Sequence, residues 1–419
     1  MKLIKLATAL VGAFAVPAAM AGVYPQCPFD VNGTGITHQT DPATNLVLHS
    51  RNVGTGAAAH RQVCLHVVAG DGWMVLGNGA QTYGFGFAAA NSVIDGRSSD
   101  DNVMVNGTSN ANFPAPTVTF REGDEVWMAL TNVGMIHRPD LFDQHSVHWH
   151  GFPQASAIFD GVPQASATVQ MGSTFTYYYK VNDPGTYMWH CHVEATEHMQ
   201  MGMLGMLNVL PKQDGTARTD ASISKSFTKF AYNDGDGSTG YDKAFSLQLG
   251  DVDSNFHELH DLVQPLPFLE MKGDFAQING RGYPMTTIEN QADMPKAENS
   301  PELSQQLHSV VRANVGDRVL LRVSNLSVET YFTLTGMGLP MRVVGRGAQI
   351  ARGPSGQAAD SWAHDTTSVT LGGGDGVDLL VDTRGLAAGT YYLYTTNLNY
   401  LSNGAGEDRG GLMTTFVLQ

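Results

Sequence analysis

The chain has 419 residues, of which 39 are acidic and 24 are Lys or Arg, so its formal net charge is −15 with histidine neutral. With no basic patch interleaved with aromatics, that balance argues against nucleic acid as a partner and favours cations over polyanions. The length exceeds what one hydrophobic core usually serves, so two domains are expected.

Lys2 and Lys5 precede an apolar stretch from Leu6 to Ala19, which ends in Ala19-Met20-Ala21. This is the pattern of a secretory signal peptide over residues 1–21, with a mature chain starting near Gly22 and a periplasmic or secreted location. The apolar run is too short for a bilayer span, and nothing later approaches ~20 uninterrupted apolar residues, so no membrane span is expected. Without the leader, 22 basic residues face 39 acidic ones, a net of −17. Cysteine occurs at positions 27, 64 and 191. An oxidising compartment favours pairing two of the three. Cys27 and Cys64 share the Gly-rich N-terminal stretch and are expected to pair, leaving Cys191 as a thiolate for metal.

Short alternating segments separated by Gly, Asn, Asp and Pro clusters follow from about residue 65 onward. Thr117–Phe120, Glu125–Leu130 and Thr174–Tyr179 read as strands, and 47 glycines fit the turn density. Long helical periodicity is nearly missing, so the fold is expected to be all-β, built as sandwiches or barrels. An internal repeat organises it. Glu122-Gly123-Asp124-Glu125-Val126, with Thr131-Asn132 downstream, returns as Val315-Gly316-Asp317-Arg318-Val319 with Ser324-Asn325. Pro184-Gly185-Thr186-Tyr187 returns as Ala388-Gly389-Thr390-Tyr391. The spacing predicts two copies of one β-domain, over 22–212 and 243–419, joined through a polar linker region at 213–242.

The chemistry concentrates in His145-Ser146-Val147-His148-Trp149-His150-Gly151 and in Trp189-His190-Cys191-His192 with His198 and Met203. In an extended strand, residues i and i+2 share a face, so His190 and His192 point one way and Cys191 the other. A thiolate, two imidazoles and a weak thioether form the ligand set of a blue, type 1 copper site, and Cys191, His145, His198 and Met203 supply it. On the opposite face His148, His150, His190 and His192 converge as ligands for further metal, with zinc as the rival to copper there.

These motifs, His-x-x-His-x-His-Gly and His-Cys-His, resemble those of the multicopper oxidases, particularly the two-domain, laccase-like members, and more distantly the copper nitrite reductases. The resemblance implies two tandem cupredoxin-like Greek-key β-sandwiches, copper as cofactor, and oxidation of a donor coupled to dioxygen reduction. The donor is a small molecule, a metal ion or a protein. The resemblance maps His145, Cys191 and His198 to type 1 ligands, Met203 to the axial position, His148 to the type 2 position, and His150, His190 and His192 to the type 3 pair. A homotrimer is the assembly it suggests.

The departures shape the expectation. The repeat aligns His148-Trp149-His150-Gly151 with Thr333-Leu334-Thr335-Gly336, and His190-Cys191-His192 with Tyr394-Thr395-Thr396. The second domain therefore lacks the matching histidines, and a homotrimer does not restore them. Two further readings stay open: a non-enzymatic electron carrier or copper-binding protein, and a nitrite reductase-like enzyme whose third histidine is unassigned among His257, His260, His308 and His364. Those four read as surface or loop residues, Gly372-Gly373-Gly374-Asp375-Gly376 as a turn, and Glu194 and Glu197 as residues beside ligands.

Overall fold

The computed structural model describes residues 25–90, 100–404 and 409–419; the signal peptide expected at 1–21 lies outside them. Two β-sandwiches follow one another along the chain. In the first, His60–Val75 runs parallel to Glu125–Gly134, which pairs antiparallel with Thr174–Lys180. The facing sheet runs Ala115–Arg121, Leu204–Leu210, Gly185–His190, His148–His150. In the second sandwich Lys243–Val252 runs parallel to Arg318–Asn325, which pairs antiparallel with Gly376–Asp382. Its facing sheet includes Val311–Ala313, Met413–Leu418, Gly389–Thr395 and Phe332–Gly336. These strands repeat the order and directions of their counterparts in the first sandwich, while the flanking strands differ, so the repeat in the sequence is a repeat in core topology.

Period-two alternation fills each core. Val63, Leu65 and Val67 pack with Val126, Met128 and Leu130 in the first, and Val319, Leu321 and Val323 with Leu379 and Val381 in the second. Trp149 lies between Tyr179 and Phe120, stacked at centroid distances of 3.7 and 5.3 Å. Such pairs add about 0.5–1.5 kcal/mol each beyond area burial. Cys27 and Cys64 form a disulfide and Cys191 is free and buried, as expected from the cysteine arithmetic.

The segment 213–242 is anchored rather than loose. Its ribbon of Arg218–Asp220 against Lys225–Phe227 places Asp220 2.7 Å from Arg318, and Tyr232 donates to Asp378 at 2.5 Å. Asp378 also accepts from Thr186 of the first sandwich at 2.6 Å, and Arg322 donates to Thr186 at 3.0 Å. This buried polar seam fixes how the sandwiches meet. No helix among the described residues is long and apolar enough to cross a membrane.

The paired Asn residues of the repeat carry the same job in both copies. Asn132 donates to the carbonyls of Asp143 and Val169 at 2.7 and 3.0 Å and accepts from the Gly134 amide. Asn325 donates to those of Thr330 and Leu371, both at 2.9 Å, and accepts from the Ser327 amide. Both are fully buried. Asn132→Ala and Asn325→Ala are each expected to cost about 2–4 kcal/mol, because three bonds go and buried backbone groups lose their partners. Urea denaturation of the two variants checks this; a cost below about 1 kcal/mol in either would contradict the assigned role.

Candidate metal centres

His148–His150 pairs antiparallel with Gly185–His190, with His148 opposite His190 and Trp149 opposite Trp189. Both tryptophans turn into the core, so the flanking histidines turn away from it. Cys191, one residue past the strand end, falls on the tryptophan side and is fully buried. The single chain crossing 189–192 therefore serves two separate clusters, one on each face.

On the core side, the Cys191 sulfur lies 3.3 Å from His198 Nδ1 and 3.9 Å from His145 Nδ1. His145 is held by a two-way backbone bridge to Val169, whose carbonyl Asn132 also grips. His198 sits in the short helix Ala195–Gln200. The loop is stitched shut by backbone bonds: Cys191 N donates to Met203 O at 3.1 Å, and Met203 N to His198 O at 2.9 Å. Met203 is fully buried in the same core. Ser146 N points at the sulfur from 3.4 Å.

The three donor atoms of His145, Cys191 and His198 all lie within 4.8 Å of one another. Burial and the neighbouring His198 push His145 well below its ordinary pKa. Burial acts the same way on His198, but the Cys191 sulfur and Asp143 outweigh it and raise that ring to about 10. His145 Nε2 is buried without a hydrogen-bond partner, His198 Nε2 lies 3.7 Å from Asp143 Oδ2, and both Nδ1 atoms face the thiol. Two imidazoles turned on one buried free thiol are a soft, cationic-metal donor set, which fits copper. Asp143 and Glu197 approach His198 to within the same 4.8 Å span, giving this edge an acidic character.

On the other face, the donor atoms of His148, His150 and His190 lie within 4.8 Å of one another. His148 Nδ1 is 2.6 Å from the Asp160 carbonyl, and His190 Nδ1 is 2.7 Å from the Cys191 carbonyl. A carbonyl only accepts, so each Nδ1 carries the proton and each Nε2 keeps a lone pair facing the cluster, that of His190 lying 3.2 Å from His150 Nδ1. Burial pushes His148 and His150 below the usual range and His190 to about 3. Neutral rings with lone pairs converging are metal ligands in the required state. His192 stands beside the trio, its ring 5.1 Å from His148 and stacked at 5.7 Å on His190, but outside the set whose donor atoms meet.

The C-terminal counterpart strands hold threonine and tyrosine where histidine would be needed. Their pairing puts Thr335 opposite Tyr394, a register two residues along from the one the sequence alignment implies, and neither register supplies an imidazole. Two expectations are corrected here. His257 and His260 are not surface or loop residues: both are buried in the helix Ser254–Asp261, packed near the copper loop, and neither joins the histidine trio. His308 and His364 are exposed as expected. The Gly372–Gly376 turn has a role that composition did not reveal: a Cβ on Gly374 would sit 2.6 Å from His150 Nε2. The signal for Asn132, also missed as a site residue, was the repeat itself.

Residues 90–214 match the family model described as multicopper oxidase. That segment, less than a third of the chain, is similar to a multicopper oxidase domain. Over 110 residues the chain is 32% identical to laccase 1 of Metarhizium acridum, an alignment covering 26% of this chain and 16% of the relative. Over 80 residues it is 40% identical to the multicopper oxidase MmcO of Mycobacterium tuberculosis, covering 19% and 14%. The alignments thus span about a sixth of the length of the curated relatives. Among solved structures, the blue copper oxidase of Nitrosomonas europaea superposes with a TM-score of 0.59 at 22% identity, covering 84% of this chain and 85% of that one. The copper nitrite reductase of the same organism gives 0.54 at 16%, covering 85% and 94%. These likenesses establish the fold: the two sandwiches are cupredoxin-like domains in tandem.

Gly374 has a φ of +85° and approaches His150 closely, whereas Gly385, also at +85°, has nothing within 4 Å of its Cβ position. Gly374→Ala is expected to displace His150 and weaken divalent-metal binding by the trio at least tenfold. Gly385→Ala carries the same left-handed backbone penalty, of order 1–2 kcal/mol, and is expected to leave that affinity unchanged. Titration of both variants with Zn²⁺ and Cu²⁺ separates a local clash from general destabilisation.

Proposed function

We propose that this chain is an exported copper-dependent oxidoreductase of the multicopper oxidase type, which takes single electrons at Cys191 and delivers them to an acceptor at the histidine trio, with dioxygen as that acceptor. The observation that carries the proposal is one stretch of backbone, residues 190–192, shared by both clusters. His145, Cys191, His198 and Met203 would hold the blue copper; His148, His150 and His190 would hold the second metal, with His192 alongside. Copper supplies reversible one-electron chemistry in the first cluster and a seat for the acceptor in the second.

The protein's own groups do the rest. Full burial of Cys191, His145 and His198 excludes water from the entry centre and limits reorganisation around it. The Asp160 and Cys191 carbonyls fix the tautomers of His148 and His190, so each ring turns an Nε2 lone pair toward the cluster. The bond from His190 Nδ1 to the Cys191 carbonyl also gives a short connection between the clusters, running from the sulfur through the cysteine's own side chain and carbonyl and then across one hydrogen bond. The acidic edge formed by Asp143 and Glu197 beside His198 favours a cationic donor over an anionic one. The Cys27–Cys64 disulfide supports an oxidising, extracytoplasmic location, and the domain division at 213–242 and the homotrimer belong to the same proposal.

Metal analysis with optical and electron paramagnetic resonance spectra tests this directly. The loaded protein should hold at least two coppers per chain, one of them blue. Cys191→Ser should remove the blue absorption. His150→Ala and His190→Ala should lower oxygen uptake with a general one-electron donor at least 100-fold while the blue absorption persists. One copper per chain with a single redox cycle and no turnover would instead identify an electron carrier.

A further inference from the structure

The helix Ser254–Asp261 belongs to the second sandwich yet packs against the strand Gln81–Ala89 and the copper loop of the first. Its N-terminus is fixed by Asp253, which accepts from Phe256 N at 3.0 Å and from Lys272 N at 2.7 Å. His257 and His260, one turn apart, reach the copper-loop helix at Gln200 and Glu197, which are likewise one turn apart. His257 is fully buried, and its Nε2 lies 2.9 Å from Gln200 O and its Nδ1 2.5 Å from Tyr83 O; both carbonyls only accept, and burial pushes the ring's pKa down, so the neutral ring donates to one of the two. Next to this, Phe85 N donates to Met201 O at 2.9 Å, so the strand also grips the loop directly.

The His260 contact has a defined polarity. Arg138 Nη1 can only donate, and it lies 3.0 Å from His260 Nδ1. That nitrogen therefore accepts, and the proton sits on Nε2, which donates to Glu197 Oε1 at 2.8 Å. Arg138 is in turn clamped by Asp140 at 2.7 Å. Glu197 and Gln200 flank His198 in the same short helix, and Met203 follows three residues after Gln200.

We propose that His257 is a positioning residue for the type 1 centre: from the second sandwich, in the tautomer with its single proton on Nε2, it holds the Gln200 carbonyl and so sets the loop that presents His198 and Met203. This rests on the reading of Cys191 as a copper ligand. The second sandwich, which lacks copper ligands of its own at the counterpart strands, thereby tunes the electron-entry centre of the first.

Asparagine and glutamine separate the two contacts, because an asparagine amide nitrogen falls near histidine Nδ1 and a glutamine amide nitrogen near Nε2. His257→Gln keeps the donor to Gln200 O, His257→Asn places one only toward Tyr83 O, and His257→Leu has neither. In the copper-loaded protein, the equilibrium constant for electron exchange with a reference mediator is expected to change at least threefold in the Asn and Leu variants and less than twofold in Gln. In the metal-free protein, amide hydrogen exchange at Met201 and Met203 is expected to accelerate at least tenfold in Asn and Leu but not in Gln. Equal changes in Asn and Gln would reduce His257 to a packing role, and no change in any variant would remove the clamp; either result overturns the proposal. If the wild-type protein forms no blue centre, the copper reading fails, and the hydrogen-exchange pattern still decides the clamp.

Discussion

The structure turns on the pairing of two short strands, His148–His150 against Gly185–His190, with a tryptophan from each facing inward. Trp149 and Trp189 are both fully buried, and Trp149 is stacked in an aromatic column. A slip of one residue would drive His148, His150 and His190 into the hydrophobic core and expel both tryptophans, so the register is strongly determined. Everything chemical then follows by alternation. The residue after His190 must fall on the core side, where it meets His145 and His198, while the trio stays on the outer face against the second sandwich. Two centres are thus separated by the thickness of one peptide strand, and the burial of aromatics, not metal binding, enforces that geometry.

Much of this was legible in the sequence because it depends on parity and spacing. The free Cys191, the disulfide partners, the opposed faces of His190 and Cys191 and the duplicated β-topology all come from local patterns that tertiary context does not override. What was not legible depends on contacts between distant segments. His257 and His260 lie in an eight-residue helix, Ser254–Asp261, within an otherwise strand-rich chain, and nothing local says that this helix docks on a loop about 60 residues earlier. Gly374 looked like any glycine in a turn until His150 was found against it. The pairing of Thr335 with Tyr394 is also a tertiary outcome, since an ungapped comparison of repeats has no means of seeing a two-residue change in register.

The threonines of the second sandwich suit a strand that carries no metal ligands. Threonine is a favourable strand residue, so replacing histidine at positions such as 333 and 335 leaves the ladder intact. Thr333 and Thr370 hydroxyls meet at 2.8 Å across neighbouring strands, giving the position a bond of its own. The specific contacts of this half lie on its surface toward the first sandwich. There Asp378 receives Thr186 and Tyr232, Gly374 leaves room for His150, and the helix Ser254–Asp261 grips the copper loop. Truncating one partner of the buried Arg322–Asp378 pair would leave an uncompensated charge, a loss of about 3–5 kcal/mol, whereas changing an exposed residue of the same half costs little. The Arg322–Asp378 pair, the close approach of Gly374 to His150 and the docked helix all lie where the two sandwiches touch.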